Sequence, residues 1–91
     1  KPVKKQYNLY EHLAIQELAE YNIEGKGLTV RVFTVQAQLP KDKPYIDFTE
    51  KNFLRTEITQ APLAVSLDKL RLRPGEKARL IIIERTQKEA Q

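Results

Sequence analysis

The chain reads as a β-rich α+β domain, a small two-layer sandwich with one N-terminal helix or strand, and three observations carry that reading. Leu70 to Ile83 has the pattern of two strands around a turn. Leu28 to Gln36 is dense in β-branched and aromatic side chains, which suit a pleated, packed surface. With 91 residues there is room for a single core, so these stretches must pack together. Hydrophobic residues at 41% and charged residues at 31% describe a folded globular chain, not a disordered one.

The segment of residues 1–7 reads as a flexible basic tether, with Lys1, Lys4 and Lys5 solvated and Pro2 opposing regular structure; a single β-rich domain is expected over residues 8–91. The chain opens on Lys1, not methionine, which raises the expectation of a segment ahead of it. Asn8 and Glu11 stand in capping-box positions, and Tyr10, Leu13, Leu18 and Tyr21 recur near helical spacing, so Asn8 to Tyr21 reads locally as a helix. The competing reading is a strand from His12 to Ala19, with Leu13 and Ile15 on one face and the alternation ending at Glu17.

Asn22, Ile23, Glu24, Gly25, Lys26 and Gly27 form a loop by composition, with Ile23 its one apolar residue. Leu28 to Gln36 is then a central strand, since both of its faces carry apolar groups. The stretch from Gln38 to Pro44 reads as an exposed connection around Pro40 and Pro44. Tyr45 to Leu54 is either a short helix capped by Thr49 or an irregular segment whose aromatics plug the core. A short strand is expected around Ile58. Alternation at Leu63, Val65 and Leu67 then leads through a break at Asp68-Lys69 into the hairpin. There, Pro74 and Gly75 fit the second and third positions of a type II turn. Leu70 and Leu72 share one face of the first arm, while the second arm, with Leu80 to Ile83 all apolar, is expected to be covered on both sides. Val30, Val32, Leu72, Leu80 and Ile82 are the expected core.

Few residues suit catalysis. With no cysteine and His12 the sole histidine, a zinc site would need carboxylates for its other ligands, and neither a metal nor a cofactor is expected. Ser66 is the only serine and lies in a strand pattern, without the glycine-flanked elbow of a hydrolase nucleophile. Asp42, Asp47 and Asp68 are scattered, and Gly25 and Gly27 lack the third glycine of a dinucleotide fingerprint. A net charge of +4, with Arg31, Arg71, Arg73, Lys77 and Arg79 on strand or turn positions and seven tyrosines and phenylalanines, keeps open a small OB-like fold binding single-stranded nucleic acid.

The order of features resembles the outer-membrane lipoprotein of bacterial type VI secretion systems, the TssJ family. Leu28-Thr29-Val30-Arg31-Val32-Phe33 is similar to that family's V-V-V-R-V-Y strand, Asp47-Phe48 to its acidic-aromatic pair, and Leu70-Arg71-Leu72-Arg73-Pro74-Gly75-Glu76 to its L-x-L-x-P-G-E turn. Where that family has a strand, Asn8 to Tyr21 reads here as helical. The resemblance implies a transthyretin-like sandwich with no enzymatic activity, on the periplasmic face of the outer membrane. It further implies a lipid anchor upstream of Lys1 and a protein partner, the periplasmic domain of an inner-membrane secretion scaffold. By the same likeness the partner is met through Asn22 to Gly27.

Overall fold

The computed structural model describes residues 1–86, which form seven strands and a short 3-10 helix. In chain order these are β1 (Pro2–Tyr10), β2 (Leu13–Ile23), β3 (Leu28–Ala37), β4 (Ile46–Asp47), the 3-10 helix (Glu50–Phe53), β5 (Pro62–Leu67), β6 (Arg71–Leu72) and β7 (Lys77–Arg85). The large sheet has the order β1-β2-β3-β7-β5 and β4 pairs with β6, every pairing being antiparallel. The expected β-rich, sandwich-like architecture is therefore present, with β3 at its centre. Gln87 to Gln91, expected as a polar end, lie outside the described residues.

Two expectations about the N-terminal third are corrected. The stretch expected as a basic tether is ordered as β1, joined to β2 through Lys5↔Glu17, Gln6↔Gln16 and Tyr7↔Ile15. The residues expected as a helix form the end of β1, a turn and β2. Leu13, Ile15 and Glu17 are all buried, so strand alternation persists at Glu17 with a carboxylate on the inward face. A bulge between Glu17 and Ala19 then changes the phase, and this extra residue is what imitates helical spacing in the sequence.

The turn at Pro74-Gly75 forms as expected. Gly75 has φ of +83°, the Glu76 N–H donates to the Arg73 carbonyl at 3.0 Å, and the Glu76 carboxylate accepts the Arg73 N–H at 2.7 Å. Its two arms, however, enter different sheets. β6 pairs with β4, through Ile46↔Leu72, while β7 lies between β3 and β5. The turn instead docks on the end of β3, where the Gly75 N–H donates to the Ala37 carbonyl and the Ala37 N–H to the Glu76 carbonyl, each at 3.0 Å.

One face of the large sheet is covered by β4, β6, the 3-10 helix and the residues around Ile58. Phe33, Val35, Leu80, Ile82, Ile15 and Leu13 meet Phe48, Phe53, Ile58 and Leu72 in one core. Phe53 stands edge-to-face with Tyr10 and Phe48, at centroid separations of 6.4 and 5.7 Å. Both readings of Tyr45 to Leu54 are realised in part: Thr49 precedes the 3-10 helix, and Phe48 and Phe53 plug the core, while Tyr45 is exposed. Ile58, expected in a strand, is buried in a turn.

Leu72, Leu80 and Ile82 are core residues as expected; Val30 and Val32 are not. The inward phase of β3 is Thr29, Arg31, Phe33, Val35 and Ala37, so the two valines point to the opposite face and are only half-buried. The same parity corrects the expectation for β7. Its inward side carries Ala78, Leu80 and Ile82, while Ile81 and Ile83 lie half-buried on an outer face that no described element covers.

Candidate functional site

The two faces of β3 lead to two clusters. On the inner face Arg31 makes five side-chain hydrogen bonds. Nε and Nη2 reach the two Glu17 oxygens at 2.9 Å each, Nη1 donates to Glu84 at 2.7 Å and to the Ile58 carbonyl, and Nη2 also donates to the Tyr7 hydroxyl at 2.8 Å. Tyr7 in turn donates to Glu17 at 2.9 Å, and Thr59 donates to Glu84. The elements supply these groups by register: Lys5↔Glu17 sets β1 beside β2, and Arg31↔Ile82 sets β3 beside β7. Glu17 is 2% exposed, yet among the described residues no buried polar side-chain atom lacks a partner.

Electrostatics locks the protonation states. Burial would raise the Glu17 carboxyl, but the hydrogen bonds from Arg31 and Tyr7 outweigh it and hold it below its ordinary range. Burial, followed by the hydrogen bond to Glu17, pushes the Tyr7 hydroxyl up to about 12. Burial opposes charge on Arg31 as well, and the two carboxylates reverse that and raise it. Glu17 and Arg31 stay charged and paired near neutral pH. Its arrangement is that of a register pin and offers no group poised to give or take a proton.

On the outer face the register aligns rows across the strands. Ala19, Val32, Ile81 and Ser66 make one row, and Tyr21, Val30, Ile83 and Ala64 the next. Ile23, Leu28 and Arg85 complete the end nearest the β2–β3 turn. Further along, Gln6, Gln16, Thr34 and Arg79 turn the face polar. The apolar rows are open: Tyr21 is 53% exposed, Ile23 42% and the adjacent Leu63 53%. A contiguous apolar patch with a polar margin marks a contact surface for another macromolecule.

The predicted loop lies at the edge of this patch. Asn22 and Ile23 end β2, and Glu24 to Gly27 make the turn into β3, with Gly25 and Gly27 at φ of +78° and +64°. All six residues are exposed. Asn22 accepts a hydrogen bond from Thr29 at 2.9 Å, which anchors the base of the loop, while Ile23 joins Tyr21 and Leu28 on the outer face. Tyr21, Val30, Val32, Ile81, Ile83 and Leu63 were missed by the sequence reading. The available signal was the apolar residues on both parities of β3 and β7.

The residues considered for catalysis occupy separate elements. His12 sits in the β1–β2 turn, Asp42 in the β3–β4 connection, Asp47 on β4, Ser66 on β5 and Asp68 just beyond it. Asp47 is paired with Arg71 at 2.7 Å, and Asp68 accepts the Arg79 backbone N–H at 2.7 Å. Among the described residues no three His, Cys, Asp or Glu side chains gather as a metal site.

Fold and surface together define a small antiparallel β domain with one open, partly apolar sheet face among the described residues. Residues 1–84 match the TraK C-terminal domain family, and the chain belongs to that family. TraK is a conjugative, secretion-related family of periplasmic proteins, so the resemblance to type VI lipoproteins holds at the level of secretion-related assembly and not specifically for TssJ. Comparison with curated proteins returned no match, and neither did comparison with solved structures.

Proposed function

We propose that this domain is a non-catalytic assembly module of an envelope-spanning secretion or conjugation apparatus, acting in the periplasm. Its partner surface is the apolar end of the outer sheet face together with the Asn22 to Gly27 loop. The observation that carries this reading is the row Tyr21, Val30, Ile83 and Ala64, continued by Ile23, on a face that the described residues leave uncovered. Ile23 and Tyr21 supply apolar anchors, and Glu24 and Lys26 supply a polar rim, the arrangement that concentrates affinity at interfaces. The partner is a protein of the same apparatus, for which the periplasmic domain of an inner-membrane scaffold is the first choice. A lipid anchor ahead of Lys1, outer-membrane attachment and type VI membership form no part of this proposal.

The burial of the phenylalanines favours a protein partner over single-stranded nucleic acid. Phe33, Phe48 and Phe53 are core residues, and Tyr45 lies beneath Arg71 at 4.1 Å, so the exposed basic positions lack a row of stacking rings. Ile23→Asp tests the reading. The melting temperature should hold while titration against the scaffold's periplasmic domain loses binding. Unaltered binding would remove Ile23 from the interface. The rival class is tested by oligonucleotide titration, where phosphate contacts would give a log–log salt slope of about −0.7 each. Micromolar, steeply salt-dependent binding would favour nucleic acid.

A further inference from the structure

We propose that β5 is a strand-addition edge: an extended segment of a partner protein, apolar through its middle and acidic at its ends, pairs with Val65 and Leu67 as a sixth strand of the large sheet. This rests on the assembly reading and specifies how the partner is held.

The large sheet ends in β1 on one side and β5 on the other. Open edges invite pairing with foreign strands, and proteins blunt them with lysine, proline and bulges. β1 is blunted in all three ways, by Pro2, by Lys4 and Lys5, and by two breaks in its register. β5 has no charged residue from Pro62 to Leu67, and its proline is confined to the first position. Its phase follows from one bond. The Asp68 N–H donates to the Arg79 carbonyl at 3.3 Å, and Leu67↔Leu80, Ser66↔Ile81 and Val65↔Ile82 continue the ladder without a break. Amide direction alternates along an antiparallel strand, so Ser66 faces β7 with Asp68, while the amides and carbonyls of Val65 and Leu67 face the open side. Among the described residues, no hydrogen bond outside the ladder reaches these groups.

The surroundings define the incoming segment. Beside the edge, Ala64 is exposed and continues the apolar row through Ile83, and the neighbouring Leu63 is exposed at the register break, which calls for apolar side chains at the centre of the segment. Lys77 and Arg79 lie toward one end of β7 and Arg85 toward the other; all three are exposed, and none forms an ion pair among the described residues. Asp68 is the acid at this margin, and its carboxylate is engaged by the Arg79 N–H. Cations at both ends favour a segment with carboxylates at both ends. A second copy of this chain fits poorly, because its own β5 brings no acid and each copy carries +4.

Three synthetic decapeptides test the mode: one with six alternating valines and threonines between paired aspartates, one with lysines replacing the aspartates, and the first again with alternate backbone amides N-methylated. The acidic peptide should bind and slow amide exchange at Val65 and Leu67, and the lysine peptide should bind at least about tenfold more weakly. The N-methylated peptide, which keeps its side chains but loses the ladder donors, should not bind. Equal binding of the methylated peptide, protection on β1 instead, or no binding of the acidic peptide would overturn strand addition. Val65→Pro, which removes one open-side amide and leaves the outer-face rows unchanged, separates this proposal from the assembly reading. If the scaffold domain binds this variant as well as the parent, the edge proposal falls and the assembly reading stands. If the scaffold domain does not bind the parent chain while the acidic peptide adds to β5, the scaffold assignment falls and the edge proposal stands.

Discussion

Replacing Arg31 by methionine keeps the unbranched stem and removes the charge on which the inner cluster depends. The side chain makes five hydrogen bonds, and its loss leaves Glu17, 2% exposed, with Tyr7 as its remaining side-chain donor, and Glu84 with Thr59. Removing one partner from a buried charge network costs about 3–5 kcal/mol, because the surviving charge stays desolvated. A chain of this length has roughly 5–14 kcal/mol of stability, so the variant sits near the edge of folding. With a urea slope near 1.5 kcal/mol per molar, the midpoint should fall by about 2–3 M. Equilibrium unfolding at pH 7, followed by circular dichroism and tyrosine fluorescence, reads this directly. A fully apolar variant (Tyr7→Phe, Glu17→Leu, Arg31→Met, Glu84→Met) should recover most of the loss, since no buried carboxylate is left behind. A fall of less than about 1 kcal/mol in Arg31→Met would refute the reasoning, by showing that water solvates the carboxylates after all.

Leu80→Ala should cost about 2–5 kcal/mol, whereas Val32→Ala, on the open outer face, should cost well under half of that; similar denaturation shifts for the two would contradict the parity seen in β3 and β7. The Glu17 carboxyl is depressed in the fold, so its contribution is present above the ordinary glutamate value of about pH 4.3 and is lost as pH falls through its folded value. Glu17→Gln should therefore flatten the acid limb of a stability–pH profile. Tyr7 shifts the other way: with its hydroxyl raised to about 12, its contribution is complete below pH 10 and is lost between pH 10 and 12. Tyr7→Phe should remove on the order of 2–3 kcal/mol of that alkaline loss, and an unchanged alkaline limb would place the hydroxyl in contact with water.

The parts legible in the sequence were those set by local chemistry. Pro74-Gly75 encodes its turn through backbone angles that few other residue pairs accept, and Gly75 adopts the positive φ required. The alternation of Val65 and Leu67 is present in β5, although a register break between Pro62 and Ala64 takes Leu63 out of it, and the turn falls at Gly25 and Gly27 as expected, although Asn22 and Ile23 belong to β2. What failed depended on tertiary partners. The two arms of the Pro74-Gly75 turn belong to different sheets because β4 competes for β6, and nothing within Leu70 to Ile83 announces Ile46 as a partner. β2 imitated a helix because one bulged residue shifts a period of two toward a longer one. The open outer face was hidden for a related reason: apolar residues on both sides of β3 imply cover on both sides, and the described residues cover only the inner one.

That ambiguity also explains why so small a core contains charge. β3 offers two apolar registers: Phe33 and Val35 inward, as observed, or Val30 and Val32 inward after a one-residue slip. A slip of one residue exchanges the faces of a strand, and an outer face that is itself apolar makes the exchange cheap in hydrophobic terms. Arg31 makes it costly. In the observed register its guanidinium is satisfied by Glu17, Glu84, Tyr7 and the Ile58 carbonyl; in the slipped one it points to solvent and leaves both carboxylates on the inner face without it. The inner charge and the outer apolar rows are thus linked: a domain whose open face is also apolar needs some other device to specify which face is the core. The fully apolar variant should accordingly regain stability without regaining uniqueness, and a doubled set of β3 amide resonances in its NMR spectrum is the expected sign. A single sharp set would mean that packing around Phe33 and Phe53 alone selects the face.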